Sequence, residues 1–173
     1  MRSVIALMSC AAVLALVNFS IMGKERQLER GNVIYLELAP VDPRSLMQGD
    51  YMALRFRLAN DARPALNRSE PSGVHRFSGP GDLATADGRI VAALDKDSIA
   101  TYRRLDDGTP IGPNEVLLRY RVRAGQIKFA TNAFFFQEGT AKLYEGARYG
   151  EFRVAPNGDL LLTRLRGKEL QPL

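Results

Sequence analysis

The sequence predicts a mainly β protein: a single antiparallel-rich β domain with one or two short helices, set behind one N-terminal transmembrane helix. Three observations predict it. The chain opens on an apolar run that has no polar face. Beyond that run, apolar residues recur at alternate positions in several short stretches, the period of a half-buried strand. Between those stretches stand turn-forming groups such as Ala124-Gly125 and Pro156-Asn157-Gly158-Asp159.

The first element follows from its length. Residues 1–3 form a short head, and no charged residue occurs from Val4 to Met22, where Asn18 is the only strongly polar one. At about 1.5 Å per residue that run spans roughly 28 Å, close to the hydrocarbon thickness of a bilayer. A cleaved signal peptide would need a small-x-small site, and Asn18-Phe19-Ser20-Ile21-Met22-Gly23 offers none of the A-x-A kind. Met8-Ser9-Cys10 is equally poor as a lipoprotein signal. Residues 4–22 are therefore expected to be an uncleaved anchor and the charged residues 23–31 a stem. Long domains translocate largely regardless of flanking charge, so the C-terminal domain is expected outside.

Residues 32–173 carry the β pattern. Ile34, Leu36 and Leu38 alternate with Tyr35 and Glu37, and Pro40-Val41-Asp42-Pro43 ends that strand. After Gln48-Gly49-Asp50, Met52, Leu54, Phe56 and Leu58 share one face of a second strand, with Tyr51, Ala53, Arg55 and Arg57 on the other. From Asn60 to about Gly88 the composition turns to Pro, Gly, Ser, Asn and Asp, which predicts a long loop over 60–88. Strands are predicted again at Ile90–Leu94, Ile99–Leu105, Leu117–Arg123, Gln126–Ala130, Glu151–Ala155 and Leu160–Leu165. Thr140–Arg148 has room for a short helix with Thr140 as its N-cap.

Composition removes several chemistries. Cys10 is the only cysteine and lies inside the apolar run, so the domain has no thiol for a disulfide, a Cys-ligated zinc or a nucleophile. His75, the only histidine, stands in the loop-like stretch without a nearby partner. No cofactor and no metal site is expected. Asp95-Lys96-Asp97 reads as a turn, lacking the Gly and distal Glu of a calcium loop. Carboxylates are plentiful (Asp42, Asp50, Asp82, Asp95, Asp97, Glu138, Glu145 and Glu151), and a pair within about 5 to 9.5 Å could do glycosidase-type work. Ion pairs with the arginines are the plainer expectation. Arg55 and Arg57, and Arg119, Arg121 and Arg123, alternate with apolar neighbours. If their strands are adjacent they line one basic sheet face, suited to solvent or to lipid phosphates beside a bilayer. The net charge of +5 fits either. No nucleic-acid-binding pattern is present.

The strongest local signal is Gly49-Asp50-Tyr51-Met52-Ala53-Leu54-Arg55-Phe56, preceded by Pro40-Val41-Asp42-Pro43-Arg44. Here the chain resembles the GDYXXLXY family, whose name spells the motif, with Phe56 in place of its last tyrosine. A second block extends the resemblance: Phe135-Phe136-Gln137-Glu138-Gly139, Tyr144-Glu145 and Ala147-Arg148-Tyr149-Gly150-Glu151. The resemblance implies a membrane anchor, an extracytoplasmic domain and association with a polytopic membrane protein; it implies no catalytic residues. Read from the residues, Gly49 and Asp50 suit a turn. The alternative is a docking edge or polar pocket that draws on Asp42, Arg44, Gly49, Asp50 and Tyr51, with Glu138 and Glu145 from the second block. Type I signal peptidases share a comparable turn, but their serine would fall near Val41, which cannot act as a nucleophile. The expected function is thus an accessory subunit docking on an integral membrane partner through its helix, whose Ser9, Ala11, Ala12 and Ala15 permit close packing, and through its domain. The alternative is an envelope hydrolase using carboxylates, or a lipid- or glycan-binding domain.

Overall fold

The apolar run forms α1, a single helix from Arg2 to Arg30. Within its stretch Leu7–Arg30, of 24 residues, an 18-residue window with a mean hydropathy of 1.6 and no buried residue makes the helix long and apolar enough to cross a membrane. The computed structural model describes residues 2–39, 47–48, 51–69, 83, 85–131 and 133–173. The expected stem is no separate linker, because α1 runs through it without a break. The Gly31 N–H closes the helix on the Gln27 carbonyl at 2.9 Å, and β1 (Asn32–Glu37) begins at once.

Ten strands and three helices are present among the described residues. β1 pairs with β9 (Tyr149–Val154), which pairs with β10 (Leu160–Arg166). A second small sheet joins β2 (Met47–Gln48), β3 (Tyr51–Ala53) and β8 (Ala133–Phe135), with β3 in the middle. The third holds β5 (Ala100–Leu105), β4 (Ala86–Leu94), β6 (Glu115–Arg123) and β7 (Gln126–Lys128) in that order. All strand pairings in the sheets are antiparallel. The first and third sheets touch where Tyr35 bridges Ile99, its N–H donating to Ser98 O at 3.0 Å.

Burial follows the strand period. In β1, Ile34 and Leu36 are inside; in β6, Val116, Leu118, Tyr120 and Val122 are inside while Arg119 and Arg121 face out. β4 lies between two strands, and its run Ile90-Val91-Ala92 is fully buried. One continuous core joins these residues to Phe152, Val154 and Leu165 of the first sheet and to Met52, Leu54 and Phe56.

Two expectations are corrected. The strand predicted over 51–58 ends at Ala53, and α2 (Arg57–Ser69) replaces the start of the predicted 60–88 loop. Leu58, Ala62 and Leu66, four residues apart, are buried on one helix face against β5 and β1. The apolar period changes from 2 to about 3.6 just after Phe56. Residues 70–82 and 84 of the predicted loop, with His75 and Asp82, lie outside the described residues. The second correction is the helix predicted over Thr140–Arg148, which is one turn, α3 (Ala141–Tyr144). Thr140 does not cap it; its hydroxyl donates to Gln137 O at 2.6 Å. The Asp95 turn forms as expected, with Asp95 Oδ1 accepting the N–H of Asp97 and Ile99 at 2.9 and 2.8 Å.

Candidate functional site

The second half of the motif, Leu54-Arg55-Phe56, connects β3 to α2. Leu54 and Phe56 face the core, and the Phe56 ring meets Phe152 edge-on at 5.4 Å. Phe56 is buried, so the hydroxyl of the motif's tyrosine would need a partner inside the core, and phenylalanine avoids that requirement. Gly150, from the second block, lies at the same contact. A Cβ there would come within 2.9 Å of the Phe152 ring and 3.3 Å of the Phe56 ring. The two sequence blocks therefore meet in three dimensions.

Arg55 points away from that core. With Asn60 and Arg63 of α2 and Lys128 of β7 it lines a cleft of about 120 Å³, floored by Leu54 and Phe129. All three charged groups at the cleft are cationic. The Arg63 guanidinium is held there by donating to Gly125 O at 2.8 Å. Guanidinium and ammonium donors of this kind suit a carboxylate or phosphate oxygen.

Beside the cleft, β3 and β8 present aromatic side chains. Tyr51 pairs in register with Phe135, with ring centroids 5.7 Å apart. Phe134 and Phe136 both pack on Tyr144 of α3, at 5.0 and 5.2 Å. Phe135 itself is 75 % exposed, on an edge strand among the described residues.

The predicted site residues fare unevenly. Asp42, Arg44, Gly49 and Asp50 lie outside the described residues. Tyr51 sits on the aromatic edge. Glu138 and Glu145 are both exposed, and neither bonds to a described residue. The predicted single basic face divides in two. Arg119, Arg121 and Arg123 do share the outer face of β6, joined by Arg89 opposite Arg119 and Lys128 opposite Arg121. Arg55 and Arg57 are on no strand, because the chain has already left β3; Arg57 opens α2 and pairs with Glu37 at 3.2 Å.

Much of the β6 face is neutralised. Arg89 pairs with Asp106 at 2.9 Å, Arg119 with Asp159 at 3.3 Å and Arg123 with Asp87 at 2.8 Å. The Arg123 guanidinium holds the Asp87 carboxyl below its ordinary range. Glu151 is the one buried carboxylate among the described residues, bonded to Arg166 and Thr163. No group of three or more His, Cys, Asp or Glu side chains suited to a metal occurs among the described residues.

Sequence reasoning missed Arg63 and Lys128. The available signal was the four-residue spacing of Leu58, Ala62 and Leu66, which puts Asn60 and Arg63 on a flank of the same helix.

The family model for the GDYXXLXY protein matches residues 13–165. No curated protein and no solved structure matches the chain. The match takes in the end of the apolar run, the motif and the second block, so the chain belongs to the GDYXXLXY family.

Proposed function

We propose that this protein is an accessory subunit of a bacterial inner membrane, its β domain periplasmic, which docks on a polytopic membrane partner and performs no catalysis of its own. The aromatic edge carries the reading. Phe135 stands exposed on a short edge strand, beside the Tyr51 ring of the family motif. Leu143 of the neighbouring α3 is 61 % exposed. Large exposed apolar groups on a strand that is an edge among the described residues suit a partner's strand or loop. The helix supports the same reading from within the bilayer, where Ala11, Ala12 and Ala15 lie exposed for close packing.

The alternative enzyme needs a convergent pair of carboxylates, and Glu151 is instead engaged by arginines. The cationic cleft favours a second reading, in which the domain binds a small anionic group presented by a lipid, a glycan or the partner itself.

The test is purification of the full-length chain from membranes in mild detergent, followed by mass spectrometry of what accompanies it. A stoichiometric polytopic partner is expected, lost when Val4–Met22 is replaced by an unrelated helix and reduced at least about tenfold by Phe135→Ser. Exposed as it is, Phe135 is expected to change stability by no more than about 0.5 kcal/mol. A chain that purifies alone, or a Phe135→Ser variant that keeps its partner, would remove the basis of the reading.

A further inference from the structure

We infer that the crevice between α1 and the β9–β10 turn is a binding site for one anionic phospholipid. The crevice holds about 680 Å³ and is formed by Leu16 and Phe19 at one end, Lys24, Arg26 and Arg30 at the other, and Pro156 across from them. From Leu16 to Arg30 the helix rises about 21 Å, so the crevice runs from the hydrocarbon into the headgroup layer. Its apolar end matches an acyl chain. Its basic end lies where a phosphate would be.

The charges there are uncompensated among the described residues. Among these, Lys24 Nζ donates only to the neutral Gln27 amide oxygen, at 3.3 Å, and the Arg26 guanidinium only to the Met22 sulfur, at 3.2 Å. The Arg30 side chain has no hydrogen bond or ion pair with a described residue. The helix's acidic residues form no ion pair with them among the described residues: at about 100° per residue Glu25 falls on the opposite side from the crevice face, and Glu29, three residues on from Arg26, is not within salt-bridge distance of it. Asp159, at the crevice rim, is already paired with Arg119. Three cations facing a membrane surface without counter-charges attract anionic lipid. The crevice has room as well, since a Cβ on Gly23, which lines it, would meet nothing within 4 Å.

The inference rests on α1 spanning a bilayer, and the experiment separates the two claims. The full-length chain is equilibrated in mixed micelles with equimolar phosphatidylglycerol and phosphatidylcholine, and native mass spectrometry counts the lipid retained. A preference of about tenfold for phosphatidylglycerol is expected. Lys24→Gln/Arg26→Gln/Arg30→Gln should bring the ratio near unity. Arg68→Gln/Lys142→Gln/Lys168→Gln removes the same charge elsewhere and should leave it unchanged. Gly23→Leu, which fills the crevice and keeps its charges, should lower retention without lowering Tm.

A wild-type ratio near unity, a preference that survives both crevice variants, or an equal loss in the control overturns the site. A chain released from membranes by alkaline carbonate overturns the anchor and the site with it. One that stays membrane-bound without a headgroup preference overturns the site alone.

Discussion

Glu151 is the residue on which the first sheet's electrostatics turn. Its carboxylate is 5 % exposed. Arg166 Nε donates to Oε2 at 2.7 Å, Arg166 Nη2 reaches the same oxygen, and Thr163 donates to Oε1 at 2.9 Å. Burial alone would push the Glu151 carboxyl up; the hydrogen bonds from Arg166 and Thr163, with the charges of Arg166 and Arg164, outweigh it and hold the group below its ordinary range. A depressed folded pKa gives stability that is complete above the unfolded value and is lost as pH falls through the folded one. Glu151→Gln is therefore expected to cost about 3 kcal/mol at pH 7, mostly by leaving Arg166 without its counter-charge. That gap should narrow as pH falls below about 4. Urea unfolding of the detergent-solubilised chain at pH 7 and at pH 3 measures it, and a gap of equal size at both would exclude this account. The sequence announces that arginines will meet these carboxylates, but not which ones. The pairing depends on a bulge between Leu162 and Arg164, which sets Arg164 opposite Glu151, and nothing in local composition marks that shift.

At the scale of elements, legibility follows the length of a regular pattern. β1 and β6 alternate cleanly over six or more residues, the β9–β10 hairpin is marked by its Pro156-Asn157-Gly158-Asp159 turn, and the strands lie where these signals put them. α2 was hidden by its composition. Asn60, Asp61, Pro64, Asn67 and Ser69 look like loop, while Leu58 continues the strand alternation begun at Met52. Only tertiary contact resolves it, because the helix is held by its Leu58–Ala62–Leu66 face rather than by propensity. The loop and helix readings predict different variants. Leu66→Ala should cost about 2 to 5 kcal/mol, the loss of a buried leucine from a packed face. Pro64, exposed in mid-helix, cannot donate to the Asn60 carbonyl, so Pro64→Ala should add about 1 kcal/mol after the unfolded chain's gain in freedom is discounted. Urea midpoints at unchanged slope read both. A Leu66→Ala effect below about 0.5 kcal/mol would mean that this segment packs on nothing. The same helix supplies Arg63, one of the three cations at the cleft, which was illegible for the same reason.

For the whole molecule the decisive feature is that the long apolar helix is joined to the domain by side-chain bonds as well as by the chain. The charged residues 23–31 read as a stem because their partners are remote in sequence. Gln27, 7 % exposed, sends its amide N–H groups to Arg153 O at 3.0 Å and Asp159 O at 2.8 Å, residues 126 and 132 positions away. Arg153 returns a bond to Gly31 O at 3.2 Å. Helix and hairpin thus form one unit, which, on the function proposed above, would fix the height of the Pro156–Asn157 turn above a bilayer and hold the aromatic edge in a set orientation to the partner. Gln27→Leu keeps the bulk and removes both donors, taking one hydrogen bond from the Arg153 carbonyl and one from the Asp159 carbonyl, which keeps the Ala155 N–H, at a cost of about 1 to 3 kcal/mol. That cost should fall on the contact between helix and hairpin, not on global unfolding, because β4 and the core it buries lie away from the turn; β6 touches the turn only through Arg119, whose N–H donates to Gly158 O at 2.8 Å. Hydrogen exchange in detergent should then quicken about tenfold or more at Gly158 and Asp159, with β4 unchanged. Equal acceleration in β4 would make Gln27 an ordinary stabilising residue. No acceleration anywhere would mean that the helix swings freely, and a freely swinging helix could neither set the turn's depth nor orient the aromatic edge toward a partner.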